Sequence, residues 1–281
     1  MRLLETSATF RLAADALHAD GRRLALIPTQ GALHAGHLGL IQAAREAGAD
    51  AIAMVLFVNP FQYGPSEDPD KIPRTPERDL RHCEEAGVDL VFAPAVAELY
   101  PRDASTTVLE DRLGSGMCAV SRSVYFRAAG TLAVKLCQLA RPEWLVYGQV
   151  NLQQAAVVRR VLRDLDVAAT VLIGPTGREE DGLACAARNA AFTPGQRLDA
   201  LAIPRALRKA EEMVSSGVRN VDRVTAEITH ILAQVRRIRL LYVAVVDPDT
   251  MEPRREIVRG RTAIALAAWV DEVRLTDNIL V

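Results

Sequence analysis

A chain of 281 residues with 49% apolar and 25% charged side chains is long enough to bury one large core or two moderate ones. Its formal net charge of −1 gives no electrostatic basis for a nucleic-acid or membrane partner, and the densest basic cluster (Arg236, Arg237, Arg239) reads as solvated surface beside a strand-like run. The four cysteines, Cys83, Cys118, Cys137 and Cys185, are far apart with no CxxC pair, which argues against a zinc site or disulfide framework and for reduced thiols in the cytoplasm.

The N-terminal "MRLLETSATFRLAADALHADG" has apolar residues at helical spacing with charges throughout. It predicts an amphipathic helix rather than a secretory leader, and no apolar run reaches membrane-spanning length. Residues 24–27 form a short apolar strand ending in a Pro-Thr-Gln-Gly turn, residues 37–48 have helical periodicity, and residues 51–58 are a continuous apolar strand. A strand–turn–helix–strand unit of this kind belongs in a parallel sheet covered on both faces. The pattern then repeats. Residues 76–86 predict a helix and "GVDLVFAP" a strand; residues 130–139 a helix and "EWLVYG" a strand; residues 152–163 a helix and "AATVLIGP" a strand. The alternation predicts an α/β class domain with a doubly wound parallel sheet over residues 1–180. From Thr193 the chain is helix-rich and closes in "IRLLYVAVVDP" and "TAIALAAWV". This predicts a second, smaller α/β C-terminal domain over residues 181–281, with residues 174–194 as the hinge.

The sharpest chemical signal is "PTQGALHAGHLGLI". His34 and His37 fall where the first strand hands over to its helix, a junction with free backbone N–H groups and the positive end of the helix dipole. Two imidazoles there are placed to donate to nucleotide phosphates, and Gly36 leaves the backbone open to close approach. As a bare pattern HxGH is also what two surface histidines would give; the strand–turn–helix setting favours the nucleotide.

Five segments in order, "IPTQGALHAGHLGLIQAAR", "LFVNPFQYGPSEDPDKIPRTPERDL", "AGVDLVFAP", "YFRAAGTLAVKL" and "DGLACAARN", resemble the pantothenate synthetase (pantoate–β-alanine ligase) family. The likeness runs over roughly residues 20–210 and more loosely to the C-terminal end. It implies a Rossmann-like, HIGH-motif nucleotidyltransferase fold and a cytoplasmic homodimer. It also implies two chemical steps: pantoate is activated by ATP with Mg²⁺ as an acyl adenylate, releasing pyrophosphate, and β-alanine then attacks to give pantothenate and AMP. The resemblance assigns His34, His37 and Arg188 to catalysis, and Gln30, Gly31, Gly148 and Arg188 with the two histidines to the nucleotide. Asn59, Gln62, Gln154, Tyr125 and Arg127 fall to the acid substrate, and Asp79 to the metal. Neutral amides suit a substrate rich in hydroxyls, because each can donate and accept.

Several positions depart from the family pattern. Gln30 stands where the family has Met. Val150 and Asn151 replace its Lys-Asp, Ala186 and Ala187 its two serines, Tyr125 its His and Ala128 its Gly. Losing an ammonium and two hydroxyls predicts a phosphate site weaker than the acid pocket, unless Lys71, Lys135 or Arg178 takes the lysine's place. Three readings therefore stay open: a divergent ligase of this family, a related amide ligase or acyl-transfer or hydrolytic enzyme for another acid–amine pair, and a non-catalytic relative that binds a small acid or nucleotide.

Overall fold

The computed structural model describes residues 1–64, 68–122 and 124–281, with the side chains of Lys71 and Ser121 outside the description. The chain divides into two compact units, Met1–Pro175 and Thr176–Val281.

The first unit is built on six strands: β1 (Arg2–Leu4), β2 (Leu24–Thr29), β3 (Ala51–Leu56), β4 (Leu90–Phe92), β5 (Trp144–Gly148) and β6 (Thr170–Gly174). Their order is β1-β4-β3-β2-β5-β6, and every neighbouring pair is parallel. The connecting helices are α1 (Ser7–Ala19), α2 (Ala35–Glu46), α3 (Pro76–Glu85), α4 (Val96–Leu99), α5 (Cys118–Ser121), α6 (Tyr125–Ala140) and α7 (Leu152–Asp164). Because strand side chains alternate between faces, the apolar strands sort into two cores. Leu24, Leu26, Ala53, Val55 and Phe92 pack with Phe10 of α1, Leu136 of α6 and Val158 of α7. Ala25, Ile27, Ile52, Met54 and Val91 pack with Ile41 of α2 and Cys83 of α3. This is the predicted doubly wound sheet, and both faces need cover because its strands are apolar on both sides.

The direction of winding reverses between β2 and β5, which are neighbours. Open α/β sheets bind ligands at the carboxyl ends of the strands at such a switch point. The chain leaves β2 into α2 and leaves β5 into α7, on opposite faces.

Two expectations are corrected. The N-terminus is not helical from its start. Residues Arg2–Leu4 form β1, paired parallel with β4, and α1 begins only after Thr6, whose side chain accepts the Thr9 N–H. Three residues are too few to show a strand period, and the pairing that stabilises them is 88 residues away at Leu90. The second unit also has three long strands, not two short ones: β7 (Ile238–Val246), β8 (Ala263–Val270) and β9 (Val273–Leu280), antiparallel in the order β7-β8-β9. The sequence of β9, "VRLTDNIL", is polar enough to hide the strand. What sets it is a tight hairpin at Asp271 (φ 49°) that brings Val273 back opposite Val270. Helices α8 (Pro194–Ala200), α9 (Ala202–Ser215) and α10 (Val221–Ala233) complete this unit. Ile203, Leu207, Val224 and Ile228 of α9 and α10 share its core with Ile264, Leu266 and Ala268 of β8.

Candidate active site

The loop from β2 to α2 is held from below by one carboxylate. Asp79, on the first turn of α3 and 2% exposed, accepts the backbone N–H of Ala32 through Oδ2 and that of Leu33 through Oδ1, both at 2.8 Å. The Thr75 hydroxyl donates to the same Oδ1 at 3.0 Å. Gly31 takes φ +81°, and a Cβ there would stand 3.1 Å from Asp79 Oδ2. The loop therefore needs glycine at this position on two counts, conformation and space.

Above this support His34 occupies the N-cap of α2 and His37 its first turn. The His34 N–H donates to His37 Nδ1 at 3.3 Å, and the rings lie 4.0 Å apart. With Nδ1 accepting, the proton of a neutral His37 sits on Nε2. Burial, followed by the neighbouring His34, holds the pKa of His37 down to about 3. His37 is thus a neutral N–H donor at physiological pH, beside the free N–H groups of a helix start.

A second group of polar side chains forms a continuous arc. Gln62, 4% exposed, accepts through Oε1 from Gln30 Nε2 at 3.1 Å. Gln30 Oε1 accepts the Tyr63 hydroxyl at 2.8 Å. The Arg122 guanidinium carbon lies 5.7 Å from the Tyr63 ring centroid and 4.2 Å from that of Tyr125. The Tyr125 hydroxyl donates to Gln154 Oε1 at 2.9 Å. Thus Gln62, Gln154 and Tyr125 come together, and Gln30 joins them rather than standing apart with the histidines. Asn59 supports the arc from beneath. Fully buried, it accepts the Phe61 N–H at 3.2 Å and donates to Tyr100 Oη and Ala128 O, so it shapes the turn Pro60–Gln62 that presents Gln62. Arg127 is not in the arc: its side chain is exposed on α6.

Sequence reasoning passed over Tyr63, Arg122, Thr75 and Gln153. Arg122 lies three residues before Tyr125 in "SRSVYFR", yet only the start of α6 at Tyr125 turns the two side chains onto one another. Gln153 adjoins Gln154, the glutamine that the family likeness singles out. The fold buries Gln153, which donates to Leu113 O and Gly116 O and accepts from Cys118 N, and leaves Gln154 to Tyr125.

Gly148 ends β5 at the switch point and is followed by the 3₁₀ turn Gln149–Asn151. A Cβ at Gly148 would make only ordinary contacts, 3.7 Å to Val150 and 3.8 Å to Leu40. This turn carries no cation. Lys135 lies with its Nζ 5.6 Å from the Tyr100 ring centroid, and the Lys71 side chain lies outside the described residues. In the second unit, Arg178 is committed to a two-bond pair with the buried Asp277, at 2.8 and 3.1 Å. There too, Arg188 follows Ala186 and Ala187 and donates to Arg274 O at 2.8 Å. Asn189 Nδ2 ties the same turn to Glu179 and to Ala184 O.

Among the described residues no three His, Cys, Asp or Glu side chains group to hold a metal, and no helix is long and apolar enough to cross a membrane. Burial, with a smaller push from Asp79, raises the Cys83 thiol to about 11, and burial raises Cys137 to about 12. Neither is a nucleophile.

Comparison with known proteins follows the whole chain. The family model described as pantoate-beta-alanine ligase matches residues 2–280. The pantothenate synthetase of Moorella thermoacetica is 41% identical over 280 residues, covering 100% of this chain and 98% of the relative. That of Thermotoga neapolitana is 38% identical over 280 residues, covering 100% and 99%. Among solved structures, the pantothenate synthetase of Thermus thermophilus superposes with a TM-score of 0.92 at 36% identity, covering 99% of each chain.

Proposed function

Because the chain belongs to the pantoate-beta-alanine ligase family, we propose that it condenses pantoate with β-alanine at the expense of ATP. A pantoate carboxylate oxygen attacks the α-phosphorus of ATP and the bond to pyrophosphate breaks. The β-alanine nitrogen then attacks the acyl carbon, AMP leaves, and the nitrogen's proton is released to solvent. Such a reaction must hold two anions side by side and stabilise the charge that leaves on phosphate. The observation that carries the reading is the pairing of two sites on one sheet. The neutral His37 stands at the helix start after β2, and the amide arc is anchored by Gln62, just past β3, and Gln154, just past β5. On this reading His34, His37 and the N–H groups of α2 receive phosphate, and Gln62 and Gln154 hold pantoate. Asn59 and Gln30 set the geometry of Gln62 rather than touching the reacting atoms.

An ATP-linked Mg²⁺ is held mainly by phosphate oxygens and water. Asp79, with both oxygens accepting loop donors and 2% exposure, does not fit as its ligand. The side chains of Val150, Ala186 and Ala187 offer no hydrogen-bond donor to phosphate. A homodimer and a cytoplasmic setting belong to the same proposal; the buried, unreactive thiols accord with a reducing compartment.

The test is exchange of labelled pyrophosphate into ATP, run with pantoate and without β-alanine. Pantoate-dependent exchange is expected. Exchange with another hydroxy acid but not pantoate would reassign the substrate. Tight ATP binding with no exchange for any acid would make the chain a binding protein.

A further inference from the structure

Gln30 and Gln62 belong to one hydrogen-bonded chain that begins at a phenol. The Tyr63 hydroxyl donates to Gln30 Oε1 at 2.8 Å, and Gln30 Nε2 donates to Gln62 Oε1 at 3.1 Å. An amide has a donor end and an acceptor end, so a donor at the head of the chain fixes the sense of both amides behind it. Gln30 gives its oxygen to Tyr63 and therefore turns its nitrogen to Gln62. Gln62 in turn gives its oxygen to Gln30. The Gln62 nitrogen is then the end with no partner among the described residues, although the residue is only 4% exposed. The same order recurs at Gln154, whose Oε1 accepts from the Tyr125 hydroxyl at 2.9 Å and whose nitrogen is likewise left over among the described residues. The turn below Gln62 is set by its own bonds, from Gln62 N–H to Asn59 O and from Phe61 N–H to Asn59 Oδ1. What Gln30 governs is the terminal amide.

We propose, resting on the ligase reading above, that Gln30 is a positioning residue that sets the polarity of the acid pocket. It holds the Gln62 amide with the oxygen engaged and the nitrogen available, so that the acid meets Gln62 as a hydrogen-bond donor. A glutamine free to turn can donate or accept and suits hydroxyls and carboxylates alike. An ionised carboxylate only accepts, and a carbonyl oxygen set against it repels it. Fixing the amide in the donating sense before the acid arrives removes the ordering cost from binding. It also selects against the alcohol of the same skeleton, whose own O–H proton would find no acceptor at Gln62.

The experiment compares wild type with Gln30→Leu, which cannot hold the amide, and Gln30→Glu, which keeps the length but only accepts and so turns the Gln62 amide round. Calorimetry gives the Kd for pantoate. NMR follows solvent exchange of the side-chain NH₂ groups of Gln30 and Gln62, identified by their loss in Gln30→Leu and Gln62→Leu. In wild type the Gln30 NH₂ should exchange slowly throughout, and the Gln62 NH₂ should exchange fast until pantoate slows it. In Gln30→Glu the Gln62 NH₂ should be slow before pantoate is added, and the Kd should rise about 10- to 100-fold, as for the loss of one charge-assisted hydrogen bond. The added charge repels the acid by itself, so this Kd is read together with the NH₂ exchange, which charge alone does not reverse. Gln30→Leu leaves the amide in the useful sense about half of the time and should raise the Kd only about twofold. A Gln62 NH₂ that is already slow in free wild type, or that pantoate does not slow, would overturn the proposal. So would weaker binding by Gln30→Leu than by Gln30→Glu, the order expected if Gln30 merely fills space. If Gln30→Glu does not fold by circular dichroism, the wild-type NH₂ pattern and the size of the Gln30→Leu loss decide in the same way. Wild type that neither binds pantoate nor exchanges pyrophosphate with it refutes the ligase reading and this role together. Binding and exchange with the wrong NH₂ pattern refute the role of Gln30 alone.

Discussion

The environment of His37 departs far from that of a free side chain. In the unfolded chain its imidazole takes a proton near pH 6.5, but in the folded loop it does so only near 3, chiefly because it is buried and then because His34 adjoins it. Between those values the unfolded state holds one more proton than the native state, so stability rises with pH across this window. The contribution is complete above the unfolded pKa and is lost as pH falls, by at most about 1.4 kcal/mol per pH unit for one proton. His37→Gln, which cannot titrate, should flatten the urea-midpoint profile between about pH 4 and pH 6.5; parallel profiles for the two proteins would contradict this. The substituted phosphate positions make the other residue-scale prediction. Val150→Lys combined with Asn151→Asp places an ammonium on the turn that follows β5, the turn that the family likeness assigns to phosphate. Pantoate-dependent pyrophosphate release should rise by about tenfold or more, only about 1.4 kcal/mol of barrier and within what one donor contributes. A folded double variant no faster than wild type would show that these positions do not limit the first step.

The β2–α2 connection works as a unit because α3 is docked to it through Asp79. Two buried backbone N–H groups and the hydroxyl of half-buried Thr75 converge on that one carboxylate. Asp79→Ala should therefore destabilise the fold by about 3 kcal/mol, the cost of buried donors left without an acceptor. Thr75→Ala, which removes one donor and leaves the acceptor served by two others, should cost about 1 kcal/mol. Chemical denaturation of both variants checks the order. If Asp79→Ala were as stable as wild type, the loop would have to be held by something other than α3. The same element explains why the acid of "RTPERDL" invites assignment to a metal: its type and place suit a cation, and only the loop folding down over it shows that its oxygens are taken.

At the scale of the whole molecule, a homodimer is expected from family membership. Sedimentation at micromolar concentration should give one species near twice the 30.6 kDa of the chain. A single species near 30.6 kDa would refute the dimer. The two units differ in how readily they are recognised. The first alternates short apolar strands with helices and declares its class from periodicity alone. The second depends on a polar edge strand, β9, whose partner β8 is wholly apolar and covered by α9 and α10. Burial of β8 is a property of that packing and not of any short stretch of residues.

The sequence by itself determined the alternation of strand and helix in the first unit and the place of the histidine pair after the strand that begins at Leu24. It also held the family likeness. These are local: a period of two or 3.6 residues, or a motif of a few positions, is written along the chain. Tertiary structure alone decided the parallel pairing of β1 with β4 and the burial of Asp79 under the loop it supports. It also decided that Gln30 joins Gln62 in the arc and that Arg122 rather than Arg127 lies over Tyr125. Each of these turns on which side of an element faces another element distant in sequence. Hydrogen bonds and ring contacts between such elements are satisfied only once the sheet has brought them together.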